Sequence, residues 1–359
     1  MKILHIINSI DDEHGGPAVH VKNLANALCK CGHETEIYAC DGLPIRRPHQ
    51  YYYNPQIREK LSRDAVFFDV VHIHGIWTYP DFIASKLCYE FGIPYIITSY
   101  GMLDKWCMRQ KRIKKYIYYF FIEKKILKKA AFIHFSFEDE HRKSIIYNIK
   151  RNFKYIQYLI NFKDIEESDN EPGYGLINKK YILFFGRIHK KKGWGILIKA
   201  FLKLRKEHKY KNIHLVFMGK GKRPLQDDKN NIIDLGMIYG KERFSIVKNA
   251  LFVCLPSYQE NFGLSIVESL ACGIPVLISK YIDIADLIVK NKVGVVCDID
   301  VLSLSEAMKE MIRLKEDKNS ALRAKEFAYK EFGWEKIVNE YTRMYQEAIA
   351  INNAGKIRQ

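Results

Sequence analysis

No stretch of the 359 residues approaches the ~18 consecutive apolar residues that cross a bilayer, so no membrane-spanning helix is expected. Acids are scarce beside bases. Asp and Glu number 41 against 58 Lys and Arg, which leaves a net charge of +17 and implies an anionic partner. Nucleotide phosphates, nucleic acid and an acidic membrane surface all qualify. The eight cysteines are scattered through apolar or helical contexts, so a disulfide framework is not expected and reduced cytoplasmic thiols are. Cys29-Lys-Cys31-Gly-His33 lacks a second ligand pair nearby and reads as a helix ending at Gly32 rather than as zinc ligands. The opening residues Met1 to Asn8 are too short for a signal peptide and run at once into Asp11, Asp12 and Glu13. They read as a first buried strand. With 48% hydrophobic residues the chain can bury a full core, and its length favours two domains.

The chain is organised around residues 250–275. An apolar run from Ala250 to Pro256 reads as a buried strand and ends in a polar loop carrying Glu260. Gly263 opens a short helix with Glu268 in its second turn, and Cys272-Gly273-Ile-Pro275 stops it. This layout aims free backbone N–H groups at whatever sits above the strand, a ready anion site. Two flanking carboxylates would repel a bare phosphate but suit a ligand with hydroxyls on either side of its phosphates. Upstream, Lys180 to Phe185 reads as a strand, Gly186-Arg187-Ile-His-Lys-Lys-Lys192-Gly193 as a basic loop, and Trp194 to Lys206 as a helix. This echoes the opening of the chain: strand Lys2–Ile7, loop Asp11–Pro17 with Gly15 and Gly16, helix Val19–Cys31. The repetition argues for two similar α/β domains rather than one large sheet.

The Glu260…Glu268 pair, with its Asn-Phe-Gly loop and Ala-Cys-Gly-Ile-Pro exit, resembles the E-x7-E signature of GT4-type retaining glycosyltransferases. Arg187 and Lys192 match that family's Gly-Arg-…-Lys-Gly motif. The resemblance implies an α/β fold of the GT-B type, two Rossmann-like domains facing across a cleft. It implies a nucleoside-diphosphate sugar (UDP- or GDP-sugar) as donor and no required metal or other cofactor, with fixed cations stabilising the leaving diphosphate. On this resemblance Arg187, Lys192 and Glu260 are the expected catalytic residues. Glu268 is expected to accept hydrogen bonds from the ribose diol, and the Asn261, Phe262, Gly263 and Leu264 amides to bind sugar hydroxyls and phosphate. Gly15 and Gly16 mark a loop over the donor phosphates or the acceptor, Gly219 a further phosphate loop, and Met237 and Ile238 a loop that holds the nucleobase through its backbone. Tyr100 stands where many relatives carry a histidine that contacts the transferred sugar. A phenol donates a hydrogen bond but does not replace an imidazole as cation or base near neutral pH. Expected boundaries are residues 1–165 for an acceptor domain, 166–178 for a linker, 179–332 for the donor domain and 333–359 for a helix returning to the first domain.

Two further features bear on partners. His72 and His74 share one face of a strand, which invites a metal, but a structural or acceptor-side role is preferred. Between Lys105 and Lys129 ten basic residues and six aromatic ones meet a single acid, Glu123. Such a segment reads as a helix on an anionic membrane surface. It also resembles a subgroup that builds surface polysaccharides, whose acceptors are saccharides, often lipid-linked. That places the expected enzyme in the cytoplasm, peripheral on the inner face of the membrane. Readings from other classes are a membrane-bound scaffold with a degenerate site and a nucleic-acid-binding protein. No recognised motif supports the latter, and no specific nucleic acid is expected.

Overall fold

The computed structural model describes residues 1–11, 15–41, 52–148, 151–221, 226–314, 317 and 319–357. Residues 12–14 of the expected Asp11–Pro17 loop lie outside them. The chain divides into two compact units, Met1–Leu159 with Trp334–Gln359, and Ile160–Gly333.

The first unit is built on β1 (Lys2–Ile7), β2 (Glu34–Tyr38), β3 (Val70–His74), β4 (Tyr95–Thr98), β5 (Phe132–Phe135) and β6 (Phe153–Tyr155). They form one parallel sheet in the order β2-β1-β3-β4-β5-β6. The central strands β3, β4 and β5 are buried along their whole length, as a parallel sheet covered on both faces requires. The helix Gly16–Lys30 begins earlier than its apolar spacing suggests, because Pro17 tolerates the first turn where no N–H partner is needed. It ends at Cys31 and Gly32, whose φ of 83° and the His33 N–H bond to the Leu28 carbonyl close the terminus. The final helix, Trp334–Ile357, belongs to this unit. It buries Ile337, Val338, Tyr341, Met344, Tyr345 and Ala348 in the core that holds Ile3, Val70 and Ile96.

The second unit carries β7 (Lys180–Phe185), β8 (Ile213–Met218), β9 (Ile232–Asp234), β10 (Phe252–Leu255), β11 (Val276–Ser279) and β12 (Gly294–Cys297). All pairings are parallel, in the order β12-β11-β10-β7-β8-β9. The order reverses between β7 and β10. In open α/β sheets ligands bind outside the carboxyl ends of the strands at such a reversal. Both units are therefore Rossmann-like, each with its own reversal; in the first it falls between β1 and β3.

The boundary differs from the expected one. Residues 160–178 pack on the second unit instead of linking freely. Lys248 Nζ donates to the Ser168 carbonyl at 2.9 Å, Asn249 to that of Asn170 at 2.7 Å, and Tyr329 to Glu166 at 2.9 Å. Composition marks this stretch as polar, but these bonds come from helices that composition does not connect to it.

Candidate active site

In the second unit two loops leave the carboxyl ends of β7 and β10 side by side, because those strands are neighbours. After β7 the chain passes Arg187, which is exposed, and turns through a short 3-10 helix, Lys190–Lys192. Gly193 follows in the left-handed region, with φ 70°. It must be glycine twice over, since a Cβ there would collide with the carbonyl oxygen of Pro256 at the end of β10. The second loop is stitched to the first by the Tyr258 N–H, which donates to the Lys191 carbonyl at 2.8 Å. Across this seam Lys192 Nζ forms a salt bridge with Glu260, both side chains about one-fifth exposed.

Gly263, at φ 69°, turns the chain into the helix Leu264–Ala271. Phe262 does not face a ligand. It is buried with its ring edge-on to Phe332, so any contact from this position is through its backbone. Glu268 lies in the second turn, and Arg243 on the helix Glu242–Lys248 donates to its Oε1 at 3.1 Å. Burial pushes the Glu268 carboxyl up, and Arg243 pulls it back down. Each carboxylate of the E-x7-E pair thus has its own cation. Arg243 is absent from the sequence-based expectations, because it lies far from Glu268 in sequence and meets it only through the packing of two helices.

The other expected donor loops lie at the carboxyl ends of β8 and β9. Gly219 and Gly221 are pressed against the backbone of the β7 loop, where a Cβ would meet the carbonyls of Gly186 and Ile188. Ile188 N–H donates to the Lys220 carbonyl at 2.8 Å, and Gly219 N–H to that of Gly236 at 2.8 Å. This Gly-x-Gly is therefore demanded by loop-on-loop packing whatever else it does. Met237 is exposed and the Ile238 side chain is buried, so Ile238 offers a ligand only its backbone.

In the first unit Gly15 (φ 85°) caps the helix that Gly16 begins, beside the end of β1. Here polar side chains thread a buried sheet. Register places His5 beside His72, and His74 and His134 on either side of Thr98. Burial keeps all of these imidazoles neutral, with His5 lowered to about 3 and His134 to about 4. Their tautomers follow from one carbonyl. His134 Nε2–H donates to the Ile156 carbonyl at 2.7 Å, so its Nδ1 accepts the Thr98 hydroxyl at 2.7 Å. Thr98 then accepts from His72 Nε2–H at 2.7 Å, and His72 Nδ1 accepts from the Tyr345 hydroxyl at 2.8 Å. This chain pins the last helix to the sheet.

His5, His72 and His74 present nitrogens within 4.8 Å of one another, the only such group among the described residues. A shared ion would have to displace a bond to His72, whose two nitrogens are both engaged. His74 is likewise engaged at both nitrogens, its Nε2 sharing a 3.0 Å hydrogen bond with His5 Nδ1. The His74 Nδ1 shares a 2.9 Å hydrogen bond with the Tyr100 hydroxyl, and His74 and Tyr100 line a cavity at the carboxyl ends of β1, β3 and β4. An imidazole one strand away, neutral through burial, thus stands hydrogen-bonded to Tyr100 beside the cavity.

The comparisons with known proteins agree with this architecture. Residues 174–331 match the family model described as glycosyl transferases group 1, and residues 14–142 match that of glycosyltransferase family 4. An uncharacterized glycosyltransferase of Methanocaldococcus jannaschii is 24% identical over 93% of this chain and 95% of its own. The O-antigen biosynthesis glycosyltransferase WclY of Escherichia coli is 26% identical over 78% of this chain and 80% of its own. Among solved structures, Anabaena HepE in complex with UDP and glucose superposes with a TM-score of 0.71. It is 17% identical, and the match covers 96% of this chain and 99% of that one.

Proposed function

Because the chain belongs to the family 4 glycosyltransferases and has their GT-B fold, we propose that it is a retaining enzyme of surface polysaccharide synthesis. It moves a sugar from a nucleoside-diphosphate sugar to a saccharide acceptor carried on a lipid. The observation that carries this reading is the pairing of Lys192 with Glu260, and of Arg243 with Glu268, around one sheet reversal. A bare phosphate site needs cations alone. A site with two carboxylates, each fixed by a cation, accepts hydroxyl hydrogen bonds without repelling a diphosphate between them. Glu268 takes the ribose diol, Glu260 the hydroxyls of the transferred sugar, and Arg187 and Lys192 the diphosphate. Charge developing on the leaving diphosphate meets fixed cations that need no reorganisation, so transfer proceeds without a metal.

The UDP and glucose held by HepE support a nucleotide-sugar donor, and the O-antigen role of WclY supports a polysaccharide product. The membrane-facing part of the reading rests on residues 105–129. Ile113, Tyr116, Ile117, Phe120 and Phe121 are all exposed, at spacings that align them along one stripe of a helix, amid lysines. No helix among the described residues is long and apolar enough to cross a membrane. The segment therefore lies on an anionic surface, the inner face of the cytoplasmic membrane.

The test is thermal stability with UDP, GDP, ADP or no nucleotide, on the wild type and on Glu268→Ala. Ligand at 100 times its Kd adds about 2.7 kcal/mol. A shift with one nucleotide, lost in the variant, is expected. Absence of any shift would remove the donor site. Transfer activity is expected to survive EDTA unchanged, and its abolition would overturn the metal-free reading.

A further inference from the structure

The cavity in the first unit encloses about 730 Å³ and is unlike a plain saccharide groove. Its floor is polar, with Asn8, Ser9, His74 and Tyr100 at the ends of β1, β3 and β4. One wall is the basic segment. Along it the lining passes from Lys111, Lys114 and Lys115 to Ile117, Phe121 and Ile122, over about 15 Å of helix. Cations thus sit at one end of the wall and carbon at the other, with Trp77 and Met102 adding further apolar surface.

The backbone around this cavity is strained. Of the eight non-glycine residues at positive φ among those described, four line it: Tyr52, Trp77, Tyr100 and Lys111. Left-handed backbone at bulky residues costs of order 1–3 kcal/mol each and gathers at ligand sites. The wall also contains a π-helical turn, Tyr119–Glu123, another feature frequent at functional sites. Buried in that turn is Glu123, the sole acid of the segment. Its carboxyl faces Asp81 and is pushed up by burial and by that neighbour, so it does not cancel the lysines.

We infer that this cavity binds an isoprenoid phosphate, the lipid-phosphate end of the acceptor. The lysines take the phosphate, and the Ile117–Phe121–Ile122 wall takes the first carbons of the chain. The His74–Tyr100 floor is left for the sugar. Cavities of this size with mostly apolar walls and a few convergent polar groups are typical ligand sites. Phosphate at one end and hydrocarbon at the other is the chemistry that the order of residues along the wall selects. The same helix turns Ile113, Tyr116 and Phe120 outward. A membrane-borne ligand therefore meets the cavity wall at the surface where its own chain lies, without leaving the bilayer.

The inference rests on the reading of the chain as a transferase acting on a lipid-linked acceptor. It is tested by calorimetric titration of the full chain with farnesyl phosphate below its micelle concentration, alongside farnesol and inorganic phosphate. Farnesyl phosphate is expected to bind at least tenfold more tightly than either control. Lys114→Ala with Lys115→Ala should weaken it about tenfold or more, as loss of charge-assisted hydrogen bonds does. Phe121→Asp, at an exposed position that folding tolerates, should weaken it as well. Equal binding of farnesol, or of inorganic phosphate, would overturn the inference, as would undiminished binding by both variants. Nucleotide-induced thermal shifts on the same samples separate the two failures. A normal nucleotide shift with no farnesyl phosphate binding removes the cavity assignment alone, whereas loss of both removes the transferase reading with it.

Discussion

At the scale of single residues, the site depends on contacts that tolerate little change. Gly193 combines a left-handed φ with backbone packed against Pro256. Gly193→Ala therefore adds strain and a steric clash, for a cost of about 2 kcal/mol or more. For a unit of this size that lowers the Tm by roughly 4–8 °C, and calorimetry showing no loss would contradict the packing described. Arg243 tests the site differently. Removing it leaves Glu268 buried with its cation gone, so its carboxyl rises further and protonates more readily. Arg243→Ala should then weaken nucleotide binding nearly as much as Glu268→Ala, with KM for the donor raised more than kcat falls. Glu260→Ala and Arg187→Ala should instead lower kcat, because they act on the groups where charge changes. Steady-state kinetics in which all of these variants match the wild type would dismiss the assignment. The sequence puts Glu260 and Lys192 in loops after strands and Glu268 in a helix's second turn, and the structure has them there, because short apolar runs and glycines mark those boundaries. Arg243, His5 and the His74–Tyr100 pair were not legible in this way, since only strand order and helix packing bring them together.

At the scale of elements, periodicity located most strands and misjudged what lay between them. Strands β1 and β7 fall on their expected residues, since each is a short apolar run with polar or glycine neighbours. The helix Tyr79–Phe91 carries no such expectation, although Thr78 and Asp81 form a capping box that announces it. The basic segment shows the opposite case. Its charge and aromatics are plain in the sequence, but which aromatics are buried is not. Tyr119 is buried, whereas Phe120 and Phe121 are exposed, continuing the stripe of Ile113, Tyr116 and Ile117. Residues that face outward without lining the cavity isolate the surface function. Ile113→Asp with Phe120→Asp should reduce binding to phosphatidylglycerol vesicles about tenfold or more, since each loses apolar burial and adds negative charge. Farnesyl phosphate affinity should be untouched. Vesicle co-sedimentation with wild-type efficiency would show that the stripe does not dock.

At the scale of the whole molecule, the two units bury different chemistry and so differ in their response to acid. The first unit buries His5, His20, His72, His74, His134 and His141, all lowered by burial. A histidine with a depressed folded pKa binds fewer protons folded than unfolded between that value and 6.5. Its stabilisation is complete above 6.5 and is lost as pH falls below it. Asp81, Glu123 and Glu140 act in the opposite sense, since burial raises each and favours its protonated form in the fold more than in the unfolded chain. Six histidines outnumber three carboxyls, so the balance turns against the fold below about pH 6, by up to about 1.4 kcal/mol per pH unit for each uncompensated proton. Below about pH 4.5 the unfolded carboxyls protonate too, and their compensation fades. The second unit carries no comparable cluster among the described residues. His214 is lowered but only part-buried, and Glu268, being raised, favours the fold as pH drops. Acid titration should therefore give two transitions rather than one. Hydrogen exchange followed by mass spectrometry should show β1, β3, β4 and the last helix losing protection near pH 5 while β7, β10 and β11 keep theirs. Simultaneous loss, or earlier loss in the second unit, would mean that the histidine ladder does not govern the stability of the first.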